Sequence, residues 1–162
     1  MAAALDAELV ALSTAGERRI AAREFFLSAM ETALAPDELL VEARLPMLPQ
    51  DARFGFAEFS RRAGDYALAM ALAVFRLDGG LIVDPRIGIG AVEAAPRRIA
   101  AAETLLHGAP PGIEVFQAAA SIAAEAVDPL EDPQTDAQYR RELVQAMVYR
   151  ALTQAFRPRA RP

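Results

Sequence analysis

Residues 66–90 read YALAMALAVFRLDGGLIVDPRIGIG, and the fold turns on whether their first ten residues form a helix or a strand. Alanine, leucine and methionine favour a helix. Asp78-Gly79-Gly80, set between VFRL and LIV, is a strong signal for a tight hairpin turn. Two apolar runs joined by such a turn pair as antiparallel strands, so the strand reading is adopted. Pro85 lacks an N–H to donate, which places its strand near an edge or at a bulge. The uncharged run 66–75 is also too short to cross a bilayer, which needs about 20 residues.

On the N-terminal side of this pair, Phe54 onward continues as strand, after a polar connection at 47–53 that contains Pro49. Further back, ELVALSTAGERRIAAREFF reads as a strand, a turn at Ala15-Gly16, a second strand and a helical turn. Pro36-Asp37 opens another turn, and LLVEARL alternates with period 2 up to Pro46. Beyond Val92 the pattern becomes helical. Pro96 suits a first helical position, and APRRIAAAETLLHG closes on Gly108 as a C-terminal cap. GIEVFQAAASIAAEAV makes a second helix. A third starts at Thr135, with Gln138 completing a capping-box pattern. Its apolar face carries Leu143, Val144, Met147, Val148, Ala151, Leu152 and Ala155. Strands first and helices last give an α+β chain: an antiparallel sheet of about three strands with a C-terminal layer of three helices.

The 162 residues suit one domain or one and a half, and 54% are hydrophobic, a figure raised by alanine. A formal net charge of −5 removes general attraction for a phosphate backbone, so no nucleic-acid partner is expected. The basic tail RPRARP, whose residues 158–162 follow the last helix, is read as a solvated end. With no cysteine there is no disulfide, thiolate nucleophile or cysteine-held iron–sulfur centre in this chain. The single histidine, His107, sits at a helix end, where it offsets the helix dipole. No secretory signal or membrane span is visible, and a cytoplasmic location is expected.

Few constellations carry chemistry. GIGAVE at 88–93 fails as a dinucleotide fingerprint because Glu93 stands where the third glycine belongs, so Gly88 and Gly90 are read as close-approach positions. DPLEDPQTD at 128–136 lacks the glycine and terminal glutamate of a calcium loop and is read as a solvated connection. No serine lies in a nucleophile elbow. FSRRAGDYALA at 59–69 is different: Arg61, Arg62, Asp65 and Tyr66 gather just before the chain enters the core. Two readings fit it, a polar turn steadied by an Arg–Asp pair with Tyr66 capping the sheet, or a loop that presents an aromatic ring to a ligand.

Five stretches taken together resemble the flavoprotein (medium) subunit of the molybdenum hydroxylases, the family of aerobic carbon monoxide dehydrogenase and xanthine dehydrogenase. They are GERRIAAREFF (16–26), TALAPDELLVEARLP (32–46), FSRRAGDYALA (59–69), GLIVDPRIGIGAVEAAPRR (80–98) and DAQYRRELVQAMVYRAL (136–152). The resemblance implies that residues 1–46 are the tail end of an FAD-binding domain and 54–157 the flavoprotein C-terminal domain. It implies that the loop around Tyr66 lies against the isoalloxazine ring of FAD, with Arg61, Arg62 and Asp65 fixing its shape and Leu40 packing beside the flavin. The family's two glycine-rich pyrophosphate loops have no counterpart in this sequence. FAD is therefore expected only together with the missing N-terminal domain, and none for the chain alone, which would be a truncated product, a fragment or half of a split subunit.

The implied partners are a small subunit with 2Fe–2S clusters, a large subunit with molybdopterin, and the missing FAD-binding portion. A strand edge left open by that portion would favour a homo-oligomer. The implied function is part of an electron-transfer flavoprotein subunit within a molybdenum-dependent oxidoreductase, with no catalytic residue of its own. The alternative is a non-catalytic assembly module that keeps the fold without FAD.

Overall fold

The structure is a computed structural model that describes residues 1–132 and 135–157. In chain order come β1 (Glu8–Ser13), β2 (Gly16–Ala21), α1 (Ala22–Phe25), β3 (Phe26–Ser28), β4 (Glu31–Thr32) and β5 (Leu39–Arg44). Then follow β6 (Arg53–Phe59), β7 (Ala69–Asp78), β8 (Leu81–Gly90), β9 (Arg97–Arg98), α2 (Ala100–Leu106), α3 (Ile113–Ala126) and α4 (Ala137–Phe156). The strands form sheets in the orders β2-β1-β5, β3-β4 and β6-β7-β8-β9, with antiparallel pairing throughout.

The decisive stretch is a strand pair. Gly79 and Gly80 have φ of 56° and 83°, the left-handed pair that a two-residue hairpin requires. From Ala69 to Phe75, β7 is entirely apolar because both of its faces pack against other parts of the chain. Ala69, Ala71, Ala73 and Phe75 join the core under the helices, whereas Leu72 and Val74 meet Ala4 and Leu5 on the other side. Such a strand loses the alternation that would distinguish it from a helix, which is why propensity pointed the wrong way. Asp84 and Pro85 lie opposite Phe75 alone, so Pro85 sits at a bulge as expected.

Two glycines record how tightly the layers meet. A Cβ on Gly55 would overlap the backbone carbonyl of Ala151, so α4 lies directly on β6. A Cβ on Gly88 would overlap Ala4, so the N-terminal segment lies equally close on the opposite face. Asp6 anchors that segment through ion pairs to Arg98 at 2.8 Å and Arg86 at 3.3 Å. The close-approach reading of Gly88 is met by this contact.

Three local expectations need correction. The sheet gains a short fourth strand, because Arg97 and Arg98 pair with Ile89 and Gly88 instead of starting a helix at Pro96. Ile99 N–H donates to the Ile87 carbonyl at 2.9 Å, and Arg98 is held by Glu103 and Asp6, so the segment is pulled into the sheet and α2 begins at Ala100. The cap of α4 is Asp136, whose carboxylate accepts from Tyr139 N–H at 2.7 Å. Thr135 is instead buried against Asp132. The 128–132 connection is partly docked: Asp128 N–H donates to Glu93, and Leu130 N–H to the Val92 carbonyl. Pro133 and Gln134, and the tail at 158–162, lie outside the described residues.

In the N-terminal part, Arg18 on β2 reaches Glu38 in a two-pronged contact at 2.6 and 2.7 Å and also donates to the Ala33 carbonyl. Together with the Ala35 N–H this holds the turn that launches β5. The Arg18 hydrogen bond, then the Ala35 N–H, draw the Glu38 pKa down to about 2. A depressed carboxylate pKa means that the clasp acts above the ordinary glutamate range and is lost as pH falls toward 2. Carboxyl NMR titration should therefore place the Glu38 midpoint near pH 2, and Arg18→Met should return it toward the ordinary range. An unchanged midpoint in the variant would show that Arg18 does not hold it.

Candidate functional site

The site is assembled at the β6–β7 connection. Leu68 N–H donates to the Phe59 carbonyl at 2.8 Å, closing residues 60–67 into a loop at the rim of the sheet. Within it, Asp65 N–H and the Ser60 hydroxyl both donate to the Arg62 carbonyl, at 3.1 and 3.0 Å. Gly64, at φ 90°, takes the backbone through a conformation that a side chain would strain. Arg62 and Asp65 thus shape the turn through their backbones, in addition to whatever their side chains contact.

Tyr66 follows this turn and is 98% exposed. It is not part of the core of this chain. Beside it lies an open hollow of about 180 Å³, lined by Arg61, Asp65, Tyr66, Leu68 and Asp132. Pockets that enclose a ligand run to roughly 300–1,000 Å³. The hollow at Tyr66 is smaller than that and open to solvent.

Leu40 stands on β5, the outer strand of the N-terminal sheet, 45% exposed and flanked by the exposed Leu39 and Val41. It does not line the hollow at Tyr66, so this chain presents the two expected contact points on separate sheets. β5 is also an open edge, as the sequence suggested for this region.

Sequence reasoning missed Asp132 and Arg140. Asp132 was counted as part of a solvated loop, yet it lines the hollow and receives Arg140 at 2.8 Å. Arg140 falls one turn before Leu143 and Val144 on the apolar stripe of α4, and a charge on that stripe was the signal available. Glu93, which spoiled the dinucleotide fingerprint, holds Arg97 at 2.6 Å and the Asp128 N–H at 2.7 Å. Burial works to raise its pKa, but these two hydrogen bonds prevail and leave it lowered. Among the described residues no cluster of acidic, histidine or cysteine side chains is placed to hold a metal, and no helix is long and apolar enough to cross a membrane.

A four-stranded antiparallel sheet with a layer of three helices packed on it makes the C-terminal part an α+β unit. The family model for the CO dehydrogenase flavoprotein C-terminal domain matches residues 54–155, and that for the FAD binding domain in molybdopterin dehydrogenase matches 1–48. The chain belongs to the FAD-binding medium subunits of the molybdenum hydroxylases, corresponding to their C-terminal part.

The alpha subunit of the 6-hydroxypseudooxynicotine dehydrogenase complex of Paenarthrobacter nicotinovorans is 37% identical over 98% of this chain and 54% of its own length. The carbon monoxide dehydrogenase medium chain of Hydrogenophaga pseudoflava is 32% identical over 94% of this chain and 53% of its own. The solved carbon monoxide dehydrogenase from Hydrogenophaga pseudoflava superposes with a TM-score of 0.90 at 34% identity, covering 96% of this chain and 54% of that one. Quinoline 2-oxidoreductase from Pseudomonas putida 86 gives 0.88 at 33% identity, covering 95% and 53%. The chain spans about half the length of the curated relatives it matches.

Proposed function

We propose that this chain forms part of the FAD-containing electron-transfer subunit of a molybdenum hydroxylase and supplies one wall of the flavin pocket. The observation that carries the reading is Tyr66: nearly fully exposed, yet set on a loop closed by backbone hydrogen bonds beside a half-formed hollow. A flat flavin ring lying against it would gain about 0.5–1.5 kcal/mol from offset stacking beyond the area it buries. Arg62 and Asp65 hold the loop in shape for that contact. Leu40, exposed on β5, would pack beside the same cofactor from the FAD-binding domain. FAD, when bound, exchanges electrons singly or in pairs and so links one-electron to two-electron carriers.

Residues 1–46 belong on this reading to the FAD-binding domain and 54–157 to the C-terminal domain. The partners are a small iron–sulfur subunit and a large molybdopterin subunit, and the location is cytoplasmic. The membership of the medium-subunit family favours this over a bare assembly module. One wall does not retain FAD, so the purified chain is expected to be colourless. Adding the glycine-rich portion of the subunit, as a separate or a fused chain, should restore the visible absorbance of oxidised flavin. Stoichiometric flavin on the chain alone, or none after that addition, would contradict the proposal.

A further inference from the structure

Among the described residues Arg140 is the one buried cation, only 8% exposed, and it lies on the apolar stripe of α4. Its guanidinium reaches three separate segments. One terminal nitrogen donates to the Ala91 carbonyl at 2.9 Å and the Leu68 carbonyl at 3.3 Å, and the other to the Asp132 carboxylate at 2.8 Å. Leu68 is the residue that closes the Tyr66 loop, and Asp132 lines the same hollow. Ala91 sits at φ 67°, a left-handed conformation that an alanine adopts only when its surroundings impose it. The buried Nε has no hydrogen-bond partner among the described residues. An apolar side chain of similar volume often serves a core as well as a buried ion pair does, so it is the set of partners that distinguishes this arginine.

We infer that Arg140 is a positioning residue for the flavin-facing loop: it ties the exit of that loop, and Asp132 beside the hollow, to α4. This rests on the reading of Tyr66 as a flavin contact. The planar fork is essential, because one nitrogen serves two carbonyls while the other meets a carboxylate. A lysine ammonium keeps the charge and reaches fewer of these partners at once.

The test compares Arg140→Lys and Asp132→Asn with the parent 162-residue chain by amide hydrogen exchange. Asp132 is exposed, so its variant keeps the question open if the Arg140 variant folds poorly. Exchange at residues 60–68 should rise about tenfold in both variants while the core amides of β7, β8 and α4 keep their protection. Unchanged exchange at 60–68, or a rise shared equally with the core, would overturn the inference. A second arm measures FAD affinity in a subunit carrying the whole FAD-binding domain, for Arg140→Lys beside Tyr66→Ala. Both should bind FAD more weakly. If Tyr66→Ala changes flavin affinity and Arg140→Lys does not, the positioning role fails. If neither affects flavin while the loop exchange still rises, the clamp stands and the flavin reading of the loop fails.

Discussion

Gly55→Val is expected to cost the C-terminal domain on the order of 3–5 kcal/mol, at the upper end for a single overpacking change. Gly55 faces α4 from the outer strand of the four-stranded sheet. The added Cβ would overlap the Ala151 carbonyl and stand 2.8 Å from the Ala155 nitrogen, all backbone atoms of one helix. No rotamer relieves such a clash, so α4 must move as a body. Moving it also breaks the bond from Phe56 N–H to the Gln154 side chain at 2.9 Å and that from Arg53 to the Phe156 carbonyl at 3.2 Å. The first occupies a backbone N–H of the outer strand β6, and the second the carbonyl of the last residue of α4. Since a domain's whole stability is about 5–15 kcal/mol, urea denaturation should show a midpoint shifted far down, or no folded baseline. A loss below about 1 kcal/mol would mean that α4 does not lie on β6 as described.

The second large effect is expected from Phe75→Ala. Phe75 is 1% exposed and lies between the sheet and the helices, its ring 6.4 Å from that of Phe116, which in turn meets Phe156 at 6.0 Å. Truncation removes a large buried surface and leaves a cavity that neighbouring alanines are too small to fill. The expected loss is about 3–5 kcal/mol, read again from urea midpoints. A small loss would indicate that the helices collapse into the space, and that the layer is looser than the glycine contacts imply.

The hairpin was legible because it is written in local chemistry: Asp78-Gly79-Gly80 requires left-handed backbone, and no long-range contact is needed to read it. The α4 stripe was legible for the same reason, since its apolar spacing maps directly onto a buried face. The start of α2 was not. Pro96 is a sound helix start by propensity, but an unfilled ladder on β8 and the pull of Glu103 and Asp6 on Arg98 captured residues 97–98 for the sheet. Such captures depend on partners up to 92 residues away and leave no periodic trace. The Tyr66 loop was visible as a cluster of polar residues before an apolar run, and its membership of a flavoprotein family followed from five stretches in order. The role of Asp132 and Arg140 was hidden, because a carboxylate in an acidic loop and an arginine in a helix look ordinary until the fold brings them together.

The central claim is that Tyr66 faces a ligand and not the core, and Tyr66→Ala tests it most directly in a subunit that carries the complete FAD-binding domain. Flavin binding should weaken by about 1–3 kcal/mol, the range for removing a well-covered aromatic contact, and the flavin spectrum should shift. Folding stability should change by less than about 0.5 kcal/mol, as for a surface substitution. If flavin affinity and spectrum stay as in the parent while stability falls, Tyr66 supports the fold and the account of this loop is wrong.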